Sequence, residues 1–163
     1  MSRSKSERLF KLLFSFSGRI GRKCWWTGLG IGCSAAILGS LAIDPGVWVA
    51  EPQRAPSPCL ALWDIAWVIP MTAITVKRFN DRDWPAWLGY ATGITGILLI
   101  LAEQQGFMLE PGNASDLEWA IFGAVVVLML AAFIDNGFLR GTAGPNRYGA
   151  DPLERGGTHS ERA

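Results

Sequence analysis

Four stretches of this chain, 24–43, 59–76, 86–102 and 118–134, are predominantly apolar. Each has about the 17–25 residues that an α-helix needs to cross the hydrocarbon core of a bilayer. No other feature narrows the possible folds as far. Lipid offers no hydrogen bonds, so each backbone N–H and C=O must be satisfied within the protein, and a chain with this pattern does so as helices. The connections carry helix breakers: Asp44-Pro45-Gly46, Pro56 and Pro58, Pro85, and Pro111-Gly112-Asn113. Composition agrees, since 18% of the 163 residues are charged, below the roughly 25% of soluble domains.

The direction of the spans follows from lysine and arginine, the residues that set membrane orientation. Of fifteen, seven precede the first span, one (Arg54) lies in the first connection, three in the second, none in the third and four after the last span. With four spans, fourteen fall on one side. The expected fold is an all-α integral membrane protein with four transmembrane helices and both termini cytoplasmic. The first apolar run is too long for the core of a signal peptide and is followed by three more, so it reads as an uncleaved helix. Before it, Leu9, Leu12, Leu13 and Phe16 recur at helical spacing while Arg8 and Lys11 fall elsewhere, which predicts a short amphipathic N-terminal helix. That helix suits either the headgroup layer or ordinary packing.

Helices in lipid associate through close backbone approach and polar contacts. Gly28, Gly32 and Ala36 stand at four-residue steps in the first span, and Gly89 and Gly93 in the third. Such small-residue faces indicate buried packing contacts. Asp64 is the one acid well inside an apolar run, about 9 Å along its helix from Pro58. Between Trp63 and Trp67 it reads either as an interfacial acid or as part of an ion path. Pro70 further along removes a backbone donor and predicts a kink.

Catalytic chemistry is not evident. Cys24, Cys33 and Cys59 stand far apart, the sole histidine is His159, and a structural zinc site needs about four ligands. The cysteines read as small buried side chains, with no metal and no cofactor expected. A P-loop and a nucleophile elbow are both missing, and Asp81-Arg82-Asp83 is too few oxygen ligands for a divalent site. Nucleic acid is not expected as a partner, because the basic residues lie beside the apolar runs and mix with acids.

One connection carries more than topology requires. KRFNDRDWPAW, residues 77–87, holds both signs of charge and two tryptophans. Its cations set orientation and Trp84 and Trp87 suit the interface, but Asp81 and Asp83 call for partners. With FSFSGRIGRKCWW (14–26) and GTAGPNRYGADP (141–152), this segment resembles the bacterial inner-membrane family known as domain of unknown function (DUF) 805. The resemblance covers about residues 14–152. It implies four spans and motif positions at Gly18, Arg19, Arg22 and Trp26, at Arg78 and Asp81, and at Asn146, Tyr148, Gly149, Asp151 and Pro152. In the loop, Lys77, Phe79 and Asn80 depart from the family's arginine, leucine and histidine. No established activity accompanies the resemblance.

The organisation expected is a cytoplasmic N-terminal segment (1–13), a four-helix membrane domain (14–152) and a flexible tail (153–163). Arg19, Arg22, Arg78, Asp81, Asn146 and Tyr148 form the candidate cytoplasmic cluster, with Arg19, Arg22 and Arg78 as donors to Asp81. The cluster reads either as a structural clasp or as a site for anionic lipid headgroups. The chain is thus expected to be a non-enzymatic, multi-pass inner-membrane protein that binds lipid or a partner. Its partners are the bilayer, anionic headgroups, another membrane protein or a second copy of itself. The alternative is a small oligomeric transporter or channel using Asp64 and the kinked second helix.

Overall fold

A computed structural model describes residues 4–48, 57–105 and 114–153. The elements are α1 (Lys5–Phe14), α2 (Arg22–Ile43), a 3-10 turn (Pro45–Trp48), α3 (Pro58–Asp81), α4 (Trp87–Gln104) and α5 (Asp116–Phe138). Among the described residues there is no strand beyond an isolated bridge between Asn146 and Gly149, which agrees with the all-helical expectation. Arg3, Arg54, Arg155, His159 and Arg162 lie outside the described residues.

Three helices, α2, α3 and α5, are long and apolar enough to cross a membrane. The expected third span, α4, is not among them. It has 18 residues and ends in Glu103-Gln104, so its whole length, polar end included, is needed to reach across a bilayer.

Local chemistry explains where most of the helices begin. The Ser57 hydroxyl accepts from the Leu60 amide ahead of α3, with Pro58 in the first turn, where its missing N–H costs nothing. At α5 a capping box forms: the Ser115 amide donates to Glu118 Oε2 at 2.7 Å and the Glu118 amide to Ser115 Oγ at 3.3 Å. At α2 the N-cap is Gly21, which supplies no side-chain bond, so the first amides of that helix lack a cap.

α3 is the centre of the bundle, with α2 and α4 packed along it and α1 and α5 against its C-terminal half. Gly28 of α2 lies over Ile74 and Gly32 over Met71, while Gly89 and Gly93 of α4 lie over Val76 and Thr72. The half-buried Ala36 accepts a hydrogen bond on its carbonyl from Trp63 Nε1 at 3.3 Å. Leu13, Trp25 and Ile74 form a small core where α1, α2 and α3 meet. Thus α1 is packed on one side, with Leu9, Phe10 and Phe14 exposed on the other. It also runs across the expected boundary at 13/14.

Two local expectations change. The polar run Lys77–Asp81 is the last turn of α3, not a loop, so the connection to α4 shrinks to residues 82–86. Helix continues there because each long side chain finds a partner on another segment. The cysteines sit on α2 and α3 but are exposed rather than buried. At Pro70, which is fully buried, α3 runs through without interruption, and the Thr72 hydroxyl donates to the Val68 carbonyl at 2.7 Å.

A Cβ added at Gly89 would lie 2.6 Å from Val76 Cγ2 and 2.7 Å from Val76 Cα. Because backbone cannot swing aside, Gly89→Ala is expected to destabilise by about 1–3 kcal/mol. Gly123 of α5 meets nothing within 4 Å, and Gly123→Ala is expected to be neutral or to stabilise by about 1 kcal/mol. Unfolding midpoints of the two variants in detergent check this, and equal losses would remove the close α3–α4 contact.

Candidate functional site

The polar end of the bundle is a knot tied around Asp81. Arg19 Nε donates to Asp81 Oδ1 at 3.0 Å, and Arg78 Nη1, one helical turn away, donates to Asp81 Oδ2. Exposure of the three side chains is 1%, 5% and 0% for Arg19, Asp81 and Arg78. An ion triplet so removed from water stands only if every remaining polar atom is also satisfied. The C-terminal segment performs that task.

Arg19 Nη1 donates to the carbonyls of Gly144 (2.7 Å) and Gly149 (3.2 Å), and Arg19 Nη2 to that of Thr142 (2.6 Å). Arg78 Nε donates to the Asn136 carbonyl at 2.6 Å and Nη2 to that of Leu139. All three nitrogens of both guanidinium groups are therefore occupied by the protein itself. The Asp81 carbonyl in turn accepts from the Thr142 amide (2.8 Å) and hydroxyl (3.0 Å). Gly141 lets the tail pass this close: a Cβ there would lie 2.6 Å from Asp81 Cγ.

Further bonds join the same segments. The Asn146 amide group donates to the Asn80 carbonyl at 2.9 Å, and Asn80 Nδ2 to the Gly18 carbonyl at 3.1 Å. The Tyr148 hydroxyl donates to the Trp84 carbonyl at 3.0 Å and accepts from the Ala86 amide at 3.3 Å. Lys77 Nζ caps the C-terminus of α1, donating to the carbonyls of Lys11 (2.9 Å) and Leu12. Arg82 Nη2 pairs with Asp135 Oδ1 at 2.9 Å. Asp83, at φ 58°, pairs with the exposed Arg147 at 3.1 Å.

Of the expected donors, Arg19 and Arg78 reach Asp81. Arg22 instead donates to the Phe138 carbonyl at 3.0 Å, tying α2 to the end of α5. Asp64 lies near the opposite end of α3, away from the cluster, and Gly28, Gly32, Ala36, Gly89 and Gly93 lie along the packed helix faces. Sequence reasoning passed over Lys77 as a helix cap and Asp135 and Asn136 altogether, and gave Gly141 and Thr142 no role of their own within the tail segment 141–152. The polar pair Asp135-Asn136 closing an otherwise apolar run was the available signal.

Beside the knot is a cavity of about 290 Å³, lined in part by Gly21, Arg22, Lys23, Arg140, Asp81 and Asp151. Asp151 is buried; its Oδ2 accepts from the Gly144 amide (3.1 Å) and its Oδ1 from the Leu153 amide (2.9 Å). The Leu153 bond first, then the Gly144 bond and the charges of Arg19 and Arg140, hold this carboxyl below its ordinary pKa. Both wall acids therefore have each oxygen occupied. Lys23 and Arg140 have no side-chain hydrogen bond or ion pair to any described residue.

The motifs that build the knot fall in the region matched by a known family. The profile of the "Protein of unknown function (DUF805)" family matches residues 13–150. The chain belongs to the DUF805 family. Two relatives, each called "Uncharacterized protein YiiR", come from Escherichia coli K12 and Escherichia coli O157:H7. Each is 37% identical over 147 residues, covering 85% of this chain and 86% of the relative. No solved structure matches. For this DUF805 chain the family carries no stated activity, so the chemistry must be read from the site.

Two outcomes test that geometry. Asp81→Asn leaves two buried guanidinium groups without their counter-charge and is expected to cost about 3–5 kcal/mol, whereas Asp83→Asn, in an exposed pair, should cost about 0–1 kcal/mol. Thermal unfolding in detergent separates them. For Asp151 the folded pKa is depressed, so its contribution is complete above the unfolded value of about 3.9 and is lost as pH falls through the lower folded value. Hydrogen exchange at Gly144 and Leu153 should therefore accelerate in that acid window, and Asp151→Asn should bring the faster exchange to neutral pH.

Proposed function

We propose that this DUF805 protein is a non-catalytic, multi-pass protein of a bacterial inner membrane that holds the phosphate of an anionic lipid headgroup in the cavity at the start of α2. In this reading α2, α3, α4 and α5 each cross the bilayer and both termini are cytoplasmic. The skewed distribution of lysine and arginine supports the orientation. At 18 residues α4 would reach about 27 Å, close to the roughly 30 Å hydrocarbon core.

The observation that carries the binding role is the division of charge in the cavity wall. Asp81 and Asp151 are fully engaged with protein donors, while the Lys23 and Arg140 side chains make no hydrogen bond or close ion pair with any described residue and Arg22 uses one nitrogen on a carbonyl. These cations surround a helix N-terminus without a side-chain cap, where free amides and the helix dipole favour an anion. Arg19 and Arg78 are not part of this binding set, since their nitrogens are occupied. They form the clasp that positions it. A divalent-metal enzyme is disfavoured because Asp81 and Asp83 are drawn to different arginines.

Native mass spectrometry after mild detergent extraction tests the reading. Wild type is expected to retain anionic phospholipid, and the triple variant Arg22→Gln, Lys23→Gln, Arg140→Gln to lose it without unfolding. Added inorganic phosphate displacing no lipid identifies the headgroup in its membrane setting as the ligand. Equal lipid retention by both proteins would sink the proposal. For orientation, a reporter active only in the cytoplasm should give signal when fused at the C-terminus and none when inserted at 106–113.

A further inference from the structure

Along α3 from Asp64 to Thr75, away from the knot, lies a second cavity whose lining carries one carboxylate and no cation. This crevice of about 340 Å³ runs between α2, α3 and α4, in the size range of pockets that hold small organic molecules. Asp64, Trp67, Met71, Thr72, Thr92 and Gly96 are among the residues that line it. Asp64 is half-buried, and it makes no hydrogen bond or ion pair with any described residue.

The two acids of α3 are treated differently. Asp81 on the same helix has both oxygens engaged. Nor does any described cation stand near enough to neutralise Asp64. The nearest on α3 is Lys77, about 20 Å along the helix, and Lys77 caps α1. Arg22 and Lys23 begin α2 at the far end, while α4 and α5 contain no lysine or arginine. The hydroxyls of Thr72 and Thr92 donate to the carbonyls of Val68 and Gly89, each at 2.7 Å. Their hydrogens are thereby used, and their oxygens remain only as acceptors. A carboxylate among apolar helices is stabilised when a counter-charge arrives.

The geometry points to the Asp64 crevice as a binding site for a monovalent organic cation with an apolar body, its charge against the Asp64 carboxylate. Charge complementarity selects the cation, and the apolar wall selects an organic one over a hydrated metal ion. This site is separate from the anion cavity at the start of α2, and either can fail without the other.

Tetraphenylphosphonium and tetraphenylborate, similar in shape and opposite in charge, are the probes. Titrated into the full chain in detergent and followed by tryptophan fluorescence, the phosphonium should bind and the borate should not. Asp64→Asn should weaken phosphonium binding about tenfold or more, and Asp64→Glu should retain it. Gly96→Leu provides a second route that leaves the carboxylate in place. A Cβ there meets Val68 only at 3.7 Å, so the larger side chain fills the crevice and should also weaken binding. The proposal is overturned if folded Asp64→Asn binds as wild type does, if Gly96→Leu binds unchanged, or if the two probes bind alike.

Discussion

Everything at the polar end of this molecule depends on one carboxylate held between two arginines. Placing Asp81 and the guanidinium groups of Arg19 and Arg78 out of water is costly, and mutual attraction alone does not offset it. The remaining donors must find acceptors, and the main chain between Asn136 and Gly149 supplies them. The tail therefore acts as the polar half of a core whose charged half comes from the α1–α2 connection and from α3. Its course follows from this requirement: Gly141 allows contact with Asp81, and Gly149, at φ 130°, adopts a backbone conformation that residues with a Cβ rarely reach.

The same physics explains the different treatment of neighbouring charges. Asp83, two residues from Asp81, remains in water and pairs with Arg147 at 54% exposure of the arginine side chain. Lys77 lies on the same helical turn as Arg78 but faces α1, where carbonyls at a helix end receive its ammonium. Charge in this segment is partitioned by helical position rather than by sequence distance. A run that reads as one polar loop becomes three different interactions with three different parts of the chain.

Much of the scaffold was legible because apolar length and breaker residues are local signals. The α2, α3, α4 and α5 helices start and end near the apolar runs, and the small residues Gly28, Gly32, Gly89 and Gly93 stand against α3 as their spacing implied. The family resemblance also brought Arg19, Arg78 and Asp81 together on one face. The carbonyl partners were not legible. Any residue can offer a carbonyl, so nothing in the identity of Thr142, Leu139 or Asn136 marks it as the acceptor for an arginine 58 to 123 residues away. For the same reason the helical state of Lys77–Asp81 was hidden, since it rests on tertiary partners that outweigh local polarity. The cysteines were misjudged because small, soft side chains suit an exposed apolar helix face as well as an interior.

The order of synthesis gives the knot a further meaning. Arg19 leaves the ribosome first, Asp81 some sixty residues later, and the carbonyls that complete both arginines only with the last portion of the chain. None of the apolar window of α5 is buried in the bundle, and its buried residues, Asn136 and Gly137, lie at its C-terminal end. A nascent chain lacking the segment beyond 141 would thus leave Arg19 without its three carbonyl acceptors, while Arg78 would keep those of Asn136 and Leu139. Closure of the knot around Arg19 therefore waits on the synthesis of residues 142–149, more than a hundred positions after the arginine itself.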